Sequence, residues 1–350
     1  MNKFNLLLVG LLLAVGLILA GCGTTDKVES EEQESTGSAK QKDPSERFYF
    51  TANESGSISK INVADNKVVA TIQADGTVHN VQVSDDGNIL GATLVPHSSG
   101  EDGEGHEGHG KNNGSALFYD TKTNKLIKKV VVGSHPAHIV FTENGKFALV
   151  TNNEDNTVSI IEMESYSVVT SIPTGKGPHG FRISKDGKWA YVANMAEDTI
   201  SVINLDSLKE EKQIKVGMTP VTTGVTSDGK EMVTTLNGEN NLAIVDLETN
   251  KVEKVEVGTW PAQVYIDFHD EFAYVVNQGT KESPSNTMSI IALEESKVLS
   301  TIETGKGAHG VVISKDNQFA YVTNMFEDTV SVVDLTERAM LSLSPATPAR

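Results

Sequence analysis

An all-β ring of seven four-stranded antiparallel blades, a seven-bladed β-propeller, is the fold class this 350-residue sequence predicts. Three observations predict it: a strand motif ending in asparagine that recurs along the chain, polar turns at fixed places in each copy, and no run of helical periodicity. The motif reads Phe50-Thr51-Ala52-Asn53, Leu149-Val150-Thr151-Asn152, Tyr191-Val192-Ala193-Asn194, Tyr274-Val275-Val276-Asn277 and Tyr321-Val322-Thr323-Asn324. Alternating runs follow it, such as Thr157-Val158-Ser159-Ile160-Ile161 and Thr329-Val330-Ser331-Val332-Val333. A weaker copy spans 232–237, with Asn237 as its asparagine, and the most degenerate spans 90–95, with Val95 standing for the asparagine. From Asn152 the steps to Asn194, Asn237, Asn277 and Asn324 are 42, 43, 40 and 47 residues. Asp186-Gly187, Asp228-Gly229, Thr123-Asn124 and Thr249-Asn250 sit where tight hairpins belong. Four short strands about every 42 residues is the period of a propeller blade.

The elements before the repeats have other roles. Residues 1–21 read as a secretory signal: Lys3 is basic, 6–20 are almost wholly apolar, and that run is too short for a comfortable membrane span. Leu19-Ala20-Gly21-Cys22 resembles the lipobox of bacterial lipoproteins. The resemblance implies a lipidated Cys22, anchoring to the bacterial membrane and an extracytoplasmic location, several acyl chains giving durable attachment. Residues 22–46, rich in Thr, Ser, Glu, Lys and Gln, have almost nothing to bury and read as a disordered tether.

The repeats occupy 47–338 and resemble the bacterial and archaeal YVTN-repeat propellers. That family usually completes its ring with a strand from the opposite terminus. Here the repeats begin with a blade's second strand, and 339–350 form a tail that does not match them, so incomplete or atypical closure is expected at the C-terminal side. Residues 339–344 are a candidate outer strand.

Nine histidines are few enough to place singly. Inner strands begin at Val78-His79-Asn80, Pro136-Ala137-His138, Pro178-His179-Gly180, Pro220-Val221-Thr222, Pro261-Ala262-Gln263 and Ala308-His309-Gly310. Aligned on the proline position, His79, His179 and His309 are equivalent and His138 is one residue further on. Inner strands converge on the propeller axis, so these four histidines are expected near one mouth of the channel. Several neutral imidazoles are suitable zinc ligands. The other reading is structural: a Pro-His-Gly turn that hydrogen-bonds the next blade.

A second group lies in an insertion at 96–114, where the step from Val95 to Asn152 stretches to 57 residues. It carries His97, His106 and His109 among acidic residues and glycines, a composition suited to weak metal capture. A capture loop above a tighter channel site resembles the periplasmic propeller metallochaperones, which implies transfer of zinc to the solute-binding protein of an ABC importer. The rival expectations are a cell-surface scaffold for proteins or envelope polymers, and a lactonase-type enzyme.

Composition excludes other classes. Against 29 basic residues stand 47 acidic ones, a formal charge of −18 that repels nucleic-acid backbones. One cysteine forms no intrachain disulfide and no thiolate zinc site. No Gly-rich phosphate loop, nucleophile elbow or HExxH motif occurs, so a non-catalytic protein is expected. The recurring acidic pairs Glu154-Asp155, Glu197-Asp198 and Glu327-Asp328 read as turn residues, and Trp189 and Trp260 as packing residues.

Overall fold

The computed structural model describes residues 47–97 and 113–346. They form seven antiparallel sheets, six of four strands and one of three, without a helix. The inner strands are β4 (Thr77–Val83), β8 (Pro136–Phe141), β12 (Pro178–Ile183), β16 (Pro220–Val225), β20 (Pro261–Ile266) and β24 (Ala308–Ile313). Each opens a blade whose remaining strands follow in sequence order toward the rim. The seven-bladed all-β architecture expected from the repeat is the architecture observed.

A sheet buries its faces only against another layer, and here the layer is the next blade. Leu149, Val158 and Ile160 of one blade pack on Phe181, Ala190 and Ile203 of the next. This is why a single repeat is not an independent folding unit.

The recurrent asparagine clamps each blade from within. Asn152 is fully buried; its Nδ2 donates to Thr157 Oγ1 and Ser159 Oγ, both at 2.9 Å, and its Oδ1 accepts the Gly133 N–H at 3.0 Å. Asn53, Asn194, Asn277 and Asn324 make the same pair of donations to hydroxyls on the following strand. The amide lies so close to the preceding connection that a Cβ on Gly175 would sit 2.5 Å from Asn194 Nδ2. Around Asn152, Asn194, Asn277 and Asn324 the recurring hydroxyls and a closely packed glycine therefore form one unit, and Asn53 keeps the hydroxyl pair alone.

Register corrects two of the expected repeat positions. Pro220 pairs with Leu236, as Pro136 pairs with Asn152, so Leu236 and not Asn237 holds the clamp position. Likewise Val78 pairs with Leu94, which displaces Val95. Both leucines are buried. Opposite Leu236 the partner strand carries Asn241 and Ala243 where the clamped blades have a hydroxyl pair, so a buried amide there would lack Ser or Thr acceptors.

Ring closure is atypical, as expected, with the missing strand falling in the first blade. The last blade is complete: the candidate outer strand at 339–344, although placed in the non-matching tail, forms its outer strand β27 (Ala339–Pro345). The incomplete blade is the first, built only from β1 (Phe48–Asn53), β2 (Ser57–Asn62) and β3 (Val68–Gln73). It closes the ring through side-chain contacts rather than a shared sheet, with Arg47 Nη1 3.5 Å from Asp316 Oδ2 of the last blade. Tyr49 and Ile61 meet Tyr321, Val330 and Val332 of the last blade, with the Tyr49 and Tyr321 rings 4.5 Å apart. On its other face Ile58 and Ile72 meet Val78 and Leu90.

Candidate metal centre

Every inner strand shifts register just after its start, between Pro136 and Ile139 in β8 and between Pro178 and Phe181 in β12. A bulge adds a residue to one strand and re-aims the side chains beside it. The same shift separates Val78 from Val81 in β4. His79, His138 and His179 lie within these bulges on three consecutive blades, and the shifts let residues at two different repeat positions point to one place.

Their imidazoles gather tightly. One ring nitrogen from each of the three forms a set whose members all lie within 4.8 Å of one another. His79 Nε2 and His179 Nε2 are 3.3 Å apart, and ring centroids are separated by 4.8 Å for His138–His179, 5.4 Å for His79–His179 and 6.0 Å for His79–His138. Two nitrogens bound at about 2.0–2.1 Å to one tetrahedral ion are about 3.3–3.4 Å apart. The His79–His179 spacing is thus already that of a chelating pair.

The opposite ring nitrogens fix the tautomers. His179 Nδ1 is 3.2 Å from the Val221 carbonyl oxygen, which only accepts, so Nδ1 carries the proton. His79 Nδ1 faces Glu54 Oε1 at 3.7 Å. Both contacts leave the Nε2 lone pairs turned toward each other, an arrangement that a shared cation relieves. A carboxylate or carbonyl behind the imidazole is also the usual support of a metal-binding histidine.

His138 distinguishes the ligand reading from the structural one. At its repeat position Asn80, Thr222 and Gln263 each accept the backbone amide of the next inner strand, from Ile139, Val264 and Val311. The His138 ring makes no such bond among the described residues, although it is buried at 3% exposure. Its backbone N–H is held by Thr151 Oγ1 at 2.9 Å, which positions the strand and leaves the imidazole to the channel. His179 does bond the next blade, but through the nitrogen that a metal would not use.

Burial sets the charge state. Enclosure by the converging blades holds His138 well below its ordinary value and His179 down to about 3, with the neighbouring imidazoles adding repulsion. Neutral imidazole is the form that binds metal. The Glu54 carboxyl is held below its usual range, chiefly by its bond to His79, and so stays ionised.

His309 is not part of this group. Its Nδ1 lies 3.2 Å from Gln278 Oε1, and burial pushes it down to about 4. His97 is exposed at the end of the second blade's strand 89–95 and is not among the three converging residues. His106, His109 and Cys22 lie outside the described residues.

Two residues beside the centre escaped the sequence reading. Glu54 belongs to the turn after the first asparagine, where an acidic residue looks like any other turn residue. His135 precedes the inner-strand proline and has φ of 49°, in the left-handed region that Gly177 and Gly307 occupy at the same position. Its ring lies 6.4 Å from that of His79, and its Nδ1 is 3.5 Å from Glu154 Oε1. A histidine in a position suited to glycine was the available signal. Trp260, expected to pack, also occupies this left-handed position and is 48% exposed. A second acidic group, Asp267, His269 and Glu271, follows β20. Asp267 Oδ1 there accepts the Glu271 and Phe272 amides, which makes it a turn former.

Comparison with known proteins places the architecture. Hydrazine synthase from Kuenenia stuttgartiensis superposes with a TM-score of 0.64 at 20% identity, over 76% of this chain and 85% of that one. A functionally unknown protein from Desulfotomaculum acetoxidans DSM 771 superposes with a TM-score of 0.70 at 12% identity, over 85% and 94%. At these identities the likeness is one of fold. No curated protein matches the sequence. The model of the YNCE-like β-propeller family matches residues 127–349, and with the seven blades described above it shows that this chain belongs to the YNCE-like β-propellers.

Proposed function

We propose that this protein binds a divalent transition-metal ion, zinc in the first instance, through His79, His138 and His179 at the mouth of its central channel. The observation that carries the reading is the convergence of three imidazole nitrogens within 4.8 Å, one pair at chelating distance, from three separate blades. Three histidine ligands leave a fourth position open to water or to a ligand from another molecule, which suits a site that gives its ion up. Glu54 supports His79 and the Val221 carbonyl supports His179. The role is binding rather than catalysis.

The lipobox-like Leu19-Ala20-Gly21-Cys22 supports extending this reading to a protein anchored at the cell envelope through Cys22, with His97, His106 and His109 as a weak collecting segment. Delivery to the solute-binding protein of a metal importer is the corresponding extension. Zinc titration of the apoprotein by calorimetry tests the core of the proposal. One tight site is expected, lost in His138→Ala and His179→Ala and retained when residues 100–110 are deleted. Equal, micromolar or weaker binding by all these proteins would favour a scaffold with structural histidines.

A further inference from the structure

One arginine on the inner strands has no carboxylate to balance it. Counted from the proline position, the fifth residues of the six inner strands are Gln82, Val140, Arg182, Gly224, Tyr265 and Val312, all at one place in the ladder. Arg182 is the one charged residue of this set. It stands three residues beyond His179 on β12, about 10 Å along the strand, and so belongs to the other end of the blades. At the same place Val140 packs into the apolar core against the next blade. The next blade offers Arg182 only Gly224, and with no side chain between them the guanidinium carbon reaches within 5.8 Å of the Tyr265 ring centre on the blade beyond.

The guanidinium is short of partners. Its Nη1 donates to the Phe181 carbonyl at 2.9 Å, and no other side-chain hydrogen bond or ion pair holds it among the described residues. Guanidinium has five N–H donors in a planar fork, so most of them are unused. Burial holds Arg182 below its ordinary pKa, because the protein around it supplies little to replace water. An anion beside it would offset that cost.

There is room for one. Arg182 lines a cavity of about 260 Å³ where β12, β16 and β20 end. Val225, Tyr265, Ile266 and Phe268 give it apolar walls, with the Tyr265 and Phe268 rings 6.2 Å apart. Two carboxylates in the wall are engaged by turns: Asp267 Oδ1 accepts the Glu271 and Phe272 amides, and Asp270 Oδ2 accepts the Ser227 amide and hydroxyl. Together with the exposed Glu143 they keep the rim acidic in spite of Lys185, which disfavours a multiply charged anion.

We propose that this cavity binds a small organic monocarboxylate with an apolar, aromatic body. Arg182 takes the carboxylate through its unused N–H groups, in the two-bond geometry that guanidinium and carboxylate share. Tyr265, Ile266 and Phe268 cover the body, as the apolar walls of ligand cavities do. The proposal is independent of the metal reading, because neither Arg182 nor the cavity involves the three histidines.

The test is calorimetric titration of the full chain, without metal, with phenylacetate. Saturable one-to-one binding is expected. It should be at least tenfold weaker in Arg182→Met, which keeps the apolar stem of the side chain, with thermal melting to show that the variant is folded. On the unaltered protein, the uncharged phenylacetamide should bind at least tenfold more weakly than phenylacetate, and sulfate should not displace phenylacetate. No saturable binding up to tens of millimolar would overturn the proposal. Equal affinity for the amide, equal binding by folded Arg182→Met, or displacement by sulfate at equal concentration would do so as well.

Discussion

Asn152→Leu probes the hydrogen-bonded clamp that defines the repeat. Leucine shares the branching of asparagine, and although it is bulkier the protein already accommodates it at this repeat position as the buried Leu94 and Leu236. What is lost is three hydrogen bonds: two donations at 2.9 Å to Thr157 and Ser159 and one acceptance at 3.0 Å from Gly133. Thr157 is half-buried and recovers a water partner. Ser159 is 1% exposed, with only a 3.4 Å contact to Ser171 Oγ left, and the Gly133 N–H loses its acceptor. Two poorly satisfied buried groups at about 1–3 kcal/mol each, offset by the added apolar burial, give a net loss of about 2–3 kcal/mol. Ser159→Ala in the leucine background reproduces the Leu236–Ala243 pair and should recover about 1 kcal/mol or more, while in the wild type it should cost stability. The assay is a double-mutant cycle by urea unfolding. A single variant within about 0.5 kcal/mol of wild type, or additive effects, would refute the clamp as the physical basis of the repeat.

Other outcomes follow from the same geometry. Glu54→Gln should weaken zinc binding about tenfold without abolishing it, measured by competition with a chelator. His309→Ala should leave zinc affinity unchanged, because Gln278 and not the metal group holds its ring; a loss comparable to His138→Ala would place it among the ligands. The apoprotein should lose stability as pH falls. His138, His179 and His309 resist protonation when folded but titrate near 6.5 when unfolded, so below about pH 6.5 the unfolded state takes up protons that the native state refuses. The loss continues toward pH 4, at up to about 1.4 kcal/mol per pH unit for each group. Replacing all three with glutamine should flatten the thermal-melting profile in that window. Gly175→Ala should lower Tm by several degrees, since its Cβ would meet Asn194 Nδ2 at 2.5 Å.

Much of this protein was legible as text because a repeat is written several times. The asparagine motif, the turn pairs and the period all reflect one blade that buries its faces only against its copies. Legibility failed where a copy had lost its marker. At Leu236 the neighbouring Asn237 imitated the motif, and only the pairing of Pro220 with Leu236 showed the true position. The outer strand at Ala339–Pro345 was legible as a candidate over 339–344, although its residues match the repeat poorly. Glu54 and His135 were hidden because their roles come from neighbours 25 and 56 residues away, His79 in each case.

The amino-acid order by itself determined the seven blades, since the 42-residue period and alternating runs leave each repeat with apolar faces that only its neighbours cover. It also determined that several histidines would start inner strands. That three of them share one point while His309 turns to Gln278 was decided only in three dimensions. Bulges just inside the inner strands and the angle between neighbouring blades set where each ring points, and neither is encoded within a single repeat.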